Sequence, residues 1–213
     1  MKNFLFENSI KVDYLGLAIN VIVGLCVAVL FISILINFVE SNNNGKVQKE
    51  KKSIVATGTM TLFFLFFYFL IRLRIGAFNI NSMPIKIILL SAGVFLVVLG
   101  CIVNVKGRFS LGKNWANHIK IYETQTLVIK GPYRIVRHPL YASIIWMFYG
   151  ASFIYENYAA FFANTLIFIP FMYYRAKQEE EQLSKIFEYY NKYKSETGMF
   201  FPKIIRRCQD EGM

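Results

Sequence analysis

The sequence predicts an all-α, polytopic membrane protein with about five transmembrane helices and a cytoplasmic amphipathic helix near the C-terminus. Three observations carry that expectation. Hydrophobic residues make up 55% of the 213 and charged residues only 17%, against about a quarter charged in an ordinary soluble domain. The apolar residues are gathered in long uncharged blocks rather than scattered, as membrane spans require. The basic residues behind the net charge of +11 fall in alternate connections between those blocks. That sorting encodes membrane orientation, and no nucleic-acid motif accompanies it, so a membrane surface is the expected partner and nucleic acid is not.

Taken in order, residues 14–38 form one apolar run long enough to span. It is too long for a signal-peptide core and no Ala-x-Ala site closes it, so a retained helix is expected. Residues 40–52 are a polar link in which Ser41-Asn42-Asn43-Asn44-Gly45 breaks the helix. Residues 53–71 read as a second span carrying Phe63, Phe64, Phe66, Phe67 and Phe69, a stripe suited to lipid contact or packing. Residues 84–105 read as a third, with Gly93 and Gly100 available for close helix approach although their spacing is not GxxxG. A polar segment, 106–137, follows. Residues 139–155 and 158–174 then form a helical hairpin turned at Glu156-Asn157. Beyond Arg175 an amphipathic helix runs to about Lys194, with Leu183, Ile186, Phe187, Tyr190 and Tyr193 on its apolar face. Counting Lys and Arg puts the 106–137 segment and the C-terminal region in the cytoplasm and the N-terminus outside.

Cys26, Cys101 and Cys208 are far apart and form no CxxC, so neither a disulfide framework nor a zinc site is indicated. With two histidines in the chain, no metal centre is expected.

The chemistry concentrates in Gly131-Pro132-Tyr133-Arg134-Ile135-Val136-Arg137-His138-Pro139-Leu140-Tyr141. Pro139 pushes His138 out of helical geometry and suits the first position of a new helix. The plainer reading is a basic and aromatic belt at a membrane boundary. The hairpin, however, returns Arg175 to the same depth, where Arg175 and Glu179 share one helix face at i,i+4. Ionisable groups at such a boundary more often serve function than stability. A solvated face accounts for Glu181, and would also account for Glu180, leaving one acid directed inward toward Arg175 and His138.

From Leu111 to Pro202 the chain resembles the isoprenylcysteine carboxyl methyltransferase family and its wider kin of membrane phospholipid and thiol methyltransferases. The resemblance is carried by LGKNWA (Leu111–Ala116), TLVIKGPYRIVRHPLY (Thr126–Tyr141), RAKQEEEQL (Arg175–Leu183) and YNKYKSETGMFFP (Tyr190–Pro202). It implies one membrane domain over 1–213, with a cofactor-binding half at about 106–202. It further implies methyl transfer from S-adenosylmethionine, without a metal, to a lipophilic acceptor drawn from the bilayer. A carboxylate beside a prenyl-like thioether is the first acceptor, and a phospholipid amine or small thiol the second. Carried over position by position, the cofactor contacts are Gln125, Thr126, Leu127, Val128, Tyr133, His138, Pro139, Leu140, Tyr141 and Glu179, with His118 near another. Arg175 takes the place of the residue that positions the acceptor. Phe187-Glu188, where the family often has Phe-Gly, and Met199, where it has a basic residue, depart from the pattern. The other classes to weigh are an NADPH-dependent membrane reductase and a non-catalytic membrane partner.

Overall fold

The structure is a computed structural model that describes residues 2–42, 47–51, 54–112, 119–122 and 126–203. The helical class holds. In chain order the elements are helix α1 (Lys2–Asn42), strand β1 (Val47–Lys51), helices α2 (Ile54–Arg72) and α3 (Met83–Leu111), and strand β2 (Ile119–Tyr122). Next come α4 (Pro139–Ile154), α5 (Tyr158–Ala163), α6 (Ile169–Ile186) and α7 (Tyr190–Glu196). The strands add a feature absent from the all-α expectation: β1 and β2 pair antiparallel, joining the two polar connections, with Lys51 opposite Ile119.

Among the described residues two helical stretches, Tyr14–Ile36 and Met83–Leu111, are long and apolar enough to cross a membrane, and Gly58–Arg72 and Pro139–Ile154 are shorter apolar helices. Leu15, Leu17, Leu25, Phe31 and Leu35 on α1 and Leu62, Phe66 and Phe69 on α2 are exposed. An apolar surface this continuous marks an integral membrane protein. Helix α3 outruns its expected end at Val105 by most of two turns, so Lys106–Leu111 continues the helix instead of opening the polar connection.

Helices α3 and α4 form the most extensive helix pair among the described residues. Their contact follows from three glycines spaced seven apart, Gly93, Gly100 and Gly107, which line one face of α3 every second turn. A methyl group on Gly93 would stand 2.7 Å from the carbonyl oxygen of Gly150, and one on Gly100 would stand 2.7 Å from that of Ser143. The glycines expected to permit close approach therefore do so, in a seven-residue stripe rather than as GxxxG. Asn104 fastens the same contact, donating to Ser143 Oγ at 2.8 Å and to the Leu140 carbonyl at 3.3 Å.

The phenylalanine run of α2 divides by helical phase. Phe63 and Phe67, one turn apart, are buried, while Phe64, Phe66 and Phe69 remain exposed. The ring of Phe63 stacks on Phe168 at 4.7 Å, and Phe67 lies 4.2 Å from Phe148. With Ala142, Ala160, Met172, Ala176 and Phe200 they form the main core, which sits directly beneath the functional cluster.

The hairpin turns at Tyr155–Asn157, where Glu156 takes a positive φ of 46°. Asn157 caps α5 by accepting from Ala160 N at 2.8 Å. Helix α5 runs through a π-helical turn, Asn164–Phe168, directly into α6. Arg175 is therefore well inside a helix that continues the second arm of the hairpin, not at the start of a separate one. The expected single helix to Lys194 is also divided. Phe187 is extended (φ −104°, ψ 109°), ending α6, and α7 begins at Tyr190. That break swings α7 and the tail back toward His138.

Candidate active site

The segment before α4 is shaped by its prolines and held by the tail. Pro132 opens a 3-10 turn, Gly131–Arg134, and Val136 N donates back to the Pro132 carbonyl at 3.2 Å. His138 is the non-helical N-cap (φ −122°, ψ 63°) and Pro139 the first helical residue, as the sequence predicts. Between these two features the backbone pairs with the tail. Arg137 N donates to Gly198 O at 2.8 Å and His138 N to Met199 O at 3.1 Å. The tail is thus added like a short parallel strand, Val136 bridging Gly198.

His138 is buried between two carboxylates that are neighbours in sequence. On its inner side Glu180, 2% exposed, holds three groups. Its Oε1 accepts from Arg137 Nε at 2.7 Å and lies 3.2 Å from His138 Nε2. Its Oε2 is 2.9 Å from Lys194 Nζ, an ion-pair distance without hydrogen-bond alignment. Burial pushes this carboxyl up, but the interactions with His138, Lys194 and Arg137 outweigh it and hold the group down at about 2. Arg137 also donates through Nη1 to the Lys194 carbonyl at 3.0 Å and to the Thr197 carbonyl. Tyr193 ties α7 to the 3-10 turn, its hydroxyl donating to Tyr133 O at 2.6 Å. Burial pushes the Tyr193 phenol up to about 12, so it is a donor across the physiological range.

On the outer side Glu179 is 26% exposed. Its Oε1 accepts from the Tyr141 hydroxyl and lies 3.5 Å from Arg175 Nε. Arg175 Nε donates to Tyr141 Oη at 3.0 Å, and its Nη1 meets Met60 Sδ of α2 at 3.3 Å. The guanidinium also lies over the Tyr141 ring, 5.9 Å from its centre. The rings of His138 and Tyr141 are nearly parallel, 4° apart in plane and 5.6 Å between centres. Tyr133 is buried, and that burial, with the charge of Glu179, pushes its phenol well above the usual range despite Arg108 nearby. Glu179 is thus a carboxylate at the mouth of an otherwise enclosed aromatic and cationic cluster.

Residues 93–185 match the Isoprenylcysteine carboxyl methyltransferase (ICMT) family. The match covers just under half of the chain, from within α3 to within α6, and takes in the whole constellation from Tyr133 to Glu180. It bears out the resemblance carried by the motifs and supports a membrane methyltransferase. No curated protein matches the chain.

Of the expected site residues, His138, Tyr141, Arg175 and Glu179 are gathered into one cluster at the distances given above, and Tyr133 is buried where it feels the charge of Glu179. Pro139 and Leu140 turn toward α3 instead, where both lie within van der Waals reach of a methyl placed on Gly107. The Leu140 carbonyl accepts from Asn104 and Ser143. Thr126, exposed, and Leu127 and Val128, half-buried, lie in the irregular lead-in to the 3-10 turn. Gln125 and His118 are outside the described residues, as is most of the LGKNWA stretch. Among the described residues no group of three or more His, Cys, Asp or Glu side chains could hold a metal ion.

The sequence singles out Arg137 only as part of the motif and gives no role to Glu180, Lys194 or Thr197, all of which join the cluster. Glu180, which a solvated face would also account for, is instead the most enclosed acid of the triplet. On a 3.6-residue helix Glu179 and Glu180 are about 100° apart, so two adjacent acids can both border a ring that projects between them. The signal available was the pairing of an Arg-His doublet with a Glu-Glu doublet.

Proposed function

We propose that this protein is an S-adenosylmethionine-dependent methyltransferase whose acceptor is lipophilic and enters from the bilayer, with a carboxylate of isoprenylcysteine type as the favoured acceptor. The observation that carries the reading is the half-open Glu179 carboxylate beside Tyr141, Tyr133 and Arg175. The residues present suit the cofactor. An accessible carboxylate accepts ribose hydroxyls, and phenol faces favour a cationic sulfonium. When bound, the cofactor supplies an electrophilic methyl group. Glu179 binds, and Tyr141 fixes the direction of its carboxylate. Gln125, Thr126, Leu127 and Val128 border the cofactor from the lead-in segment.

Arg175 orients the acceptor. Its Nη1 faces the Met60 thioether, a weak acceptor, which an incoming carboxylate replaces with a charge-assisted pair. A fixed cation there disfavours an ammonium headgroup, which ranks phospholipid amines and small thiols behind a carboxylate. An already anionic acceptor needs no general base, so the work left to the protein is alignment and exclusion of water. The buried core under the cluster serves the second task. The hydropathy pattern supports about five spans, with the site and C-terminus cytoplasmic and the N-terminus outside.

Transfer of a labelled methyl group from S-adenosylmethionine tests the reading, using purified protein with S-farnesylated N-acetylcysteine, a phosphatidylethanolamine and a small alkyl thiol as separate acceptors. Labelling of the first, as a base-labile ester, is the expected result. Labelling of either other acceptor alone moves the assignment to that class.

A further inference from the structure

Glu180 is enclosed, away from the partly exposed Glu179, and it is the most heavily partnered acid among the described residues. Its carboxylate meets Arg137 Nε at 2.7 Å, His138 Nε2 at 3.2 Å and Lys194 Nζ at 2.9 Å. Flanked by two cations it stays ionised, and an ionised carboxylate can only accept hydrogen bonds. The hydrogen between Glu180 and His138 must therefore sit on Nε2. The other ring nitrogen has different surroundings. Nδ1 lies 3.6 Å from Glu179 Oε2, too far for a hydrogen bond. Among the described residues Nδ1 makes no hydrogen bond. The ring cannot turn to exchange its nitrogens. It is stacked parallel on Tyr141 and meets Phe200 edge-on at 6.2 Å, while the backbone N–H of His138 is fixed to Met199 O.

We infer that Glu180 is a positioning residue that holds His138 as its Nε2–H tautomer, so that Nδ1 and the Glu179 carboxylate together form a two-acceptor fork for a ligand group bearing adjacent O–H or N–H donors. A ribosyl diol and a primary ammonium both have that chemistry. The arrangement uses the same physics as a buried carboxylate that orients an imidazole in a nucleophilic triad, here turned to recognition. The inference rests on the proposed function only in taking His138 as a ligand contact; the tautomer itself does not depend on any ligand.

The test is nitrogen NMR of detergent-purified protein with 15N-labelled histidine. The chain has two histidines, so a His118→Gln variant leaves the His138 signals alone. The expected result for this protein is a protonated Nε2 and an unprotonated Nδ1 near neutral pH. A proton on Nδ1, alone or with Nε2, overturns the inference. In Glu180→Ala the two tautomers are expected to mix, with S-adenosylhomocysteine binding weakened roughly 10–100-fold, by analogy with the loss of outer partners of metal-ligating histidines. A pure Nε2–H ring in that variant also overturns it. Should the variant not fold, the unsubstituted protein alone decides. Methylthioadenosine, which has the diol but no ammonium, distinguishes the two donor sources. A shift of Nδ1 with it assigns the fork to the diol, and a shift with S-adenosylhomocysteine alone assigns it to the ammonium. No shift of Nδ1 with bound S-adenosylhomocysteine removes the fork. Failure of S-adenosylhomocysteine to bind, with the tautomer as expected, would instead count against the methyltransferase reading.

Discussion

Glu179 and Glu180 are consecutive residues of one helix, and they stand on opposite sides of His138 in opposite circumstances. Glu180 is enclosed, with Arg137, His138 and Lys194 around it. Glu179 is a quarter exposed and has Tyr141 and Arg175 beside it. The closed side joins three separate parts of the chain: the segment before α4, helix α6, and the α7 tail. The open side leaves Glu179 partly exposed, with Arg175 and Tyr141 beside it. Burial of a charge is tolerable only with partners, so the enclosed acid is fixed to scaffold, while the acid at the mouth keeps carboxylate capacity for a ligand. On the proposed reading, one side builds the site and the other meets what enters it.

Breaking the closed side gives the largest effect. Glu180→Ala strands the Arg137 guanidinium, which has only 8% exposure, and is expected to cost about 3–5 kcal/mol, the usual penalty for breaking a buried pair. Thermal unfolding in detergent measures it, and an unchanged midpoint would erase the contrast between the two acids. Next comes the helix pair beneath the site. Gly100→Ala forces a methyl toward the Ser143 carbonyl and Met147, an overpacking expected to cost about 1–3 kcal/mol by the same assay.

Breaking the open side is expected to act on ligand rather than on fold. Glu179→Ala should keep the unfolding midpoint close to that of the parent while abolishing S-adenosylhomocysteine binding. Arg175→Lys should mainly reduce turnover, since Lys cannot form a bidentate pair; equal turnover would make Arg175 a structural partner of Tyr141. The smallest effect belongs to the third acid. Glu181 pairs with Lys185 at 2.8 Å on the exposed surface, and Glu181→Ala is expected to change stability by less than about 0.5 kcal/mol.

Acid titration sharpens the same contrast. The folded-state carboxyl of Glu180 is held at about 2, below its ordinary 4.5. A depressed carboxyl contributes stability above its unfolded value and loses it as pH falls through the folded one. The closed side therefore weakens between about 4.5 and about 2. Glu180→Gln should remove that component of the acid unfolding curve.

Much of this was legible in the sequence because it rests on local rules. Pro139 fixed the start of α4 and the non-helical backbone of His138, the Glu156-Asn157 pair marked the hairpin turn, and the i,i+4 spacing put Arg175 with Glu179. The burial of Glu180 was not legible, because it depends on Arg137 and Lys194 arriving from elements 43 residues before and 14 residues after it. Periodicity ranks a charged residue as solvated unless its partners are known. The break at Phe187 was also hidden, since residues 175–194 carry an amphipathic pattern throughout and no Gly or Pro interrupts it. The α3 glycine stripe was half visible: Gly93 and Gly100 stood out, while Gly107 lay in what read as a polar connection.

On the proposed reading, the open side of His138 is a site for S-adenosylmethionine. Calorimetric titration of the detergent-purified protein with S-adenosylhomocysteine, and separately with NADPH, tests it most directly. The expected result is saturable binding of the former alone, lost in Glu179→Ala. Binding of NADPH alone would contradict the claim in favour of a reductase, and binding of neither by a folded sample would favour a non-catalytic membrane partner.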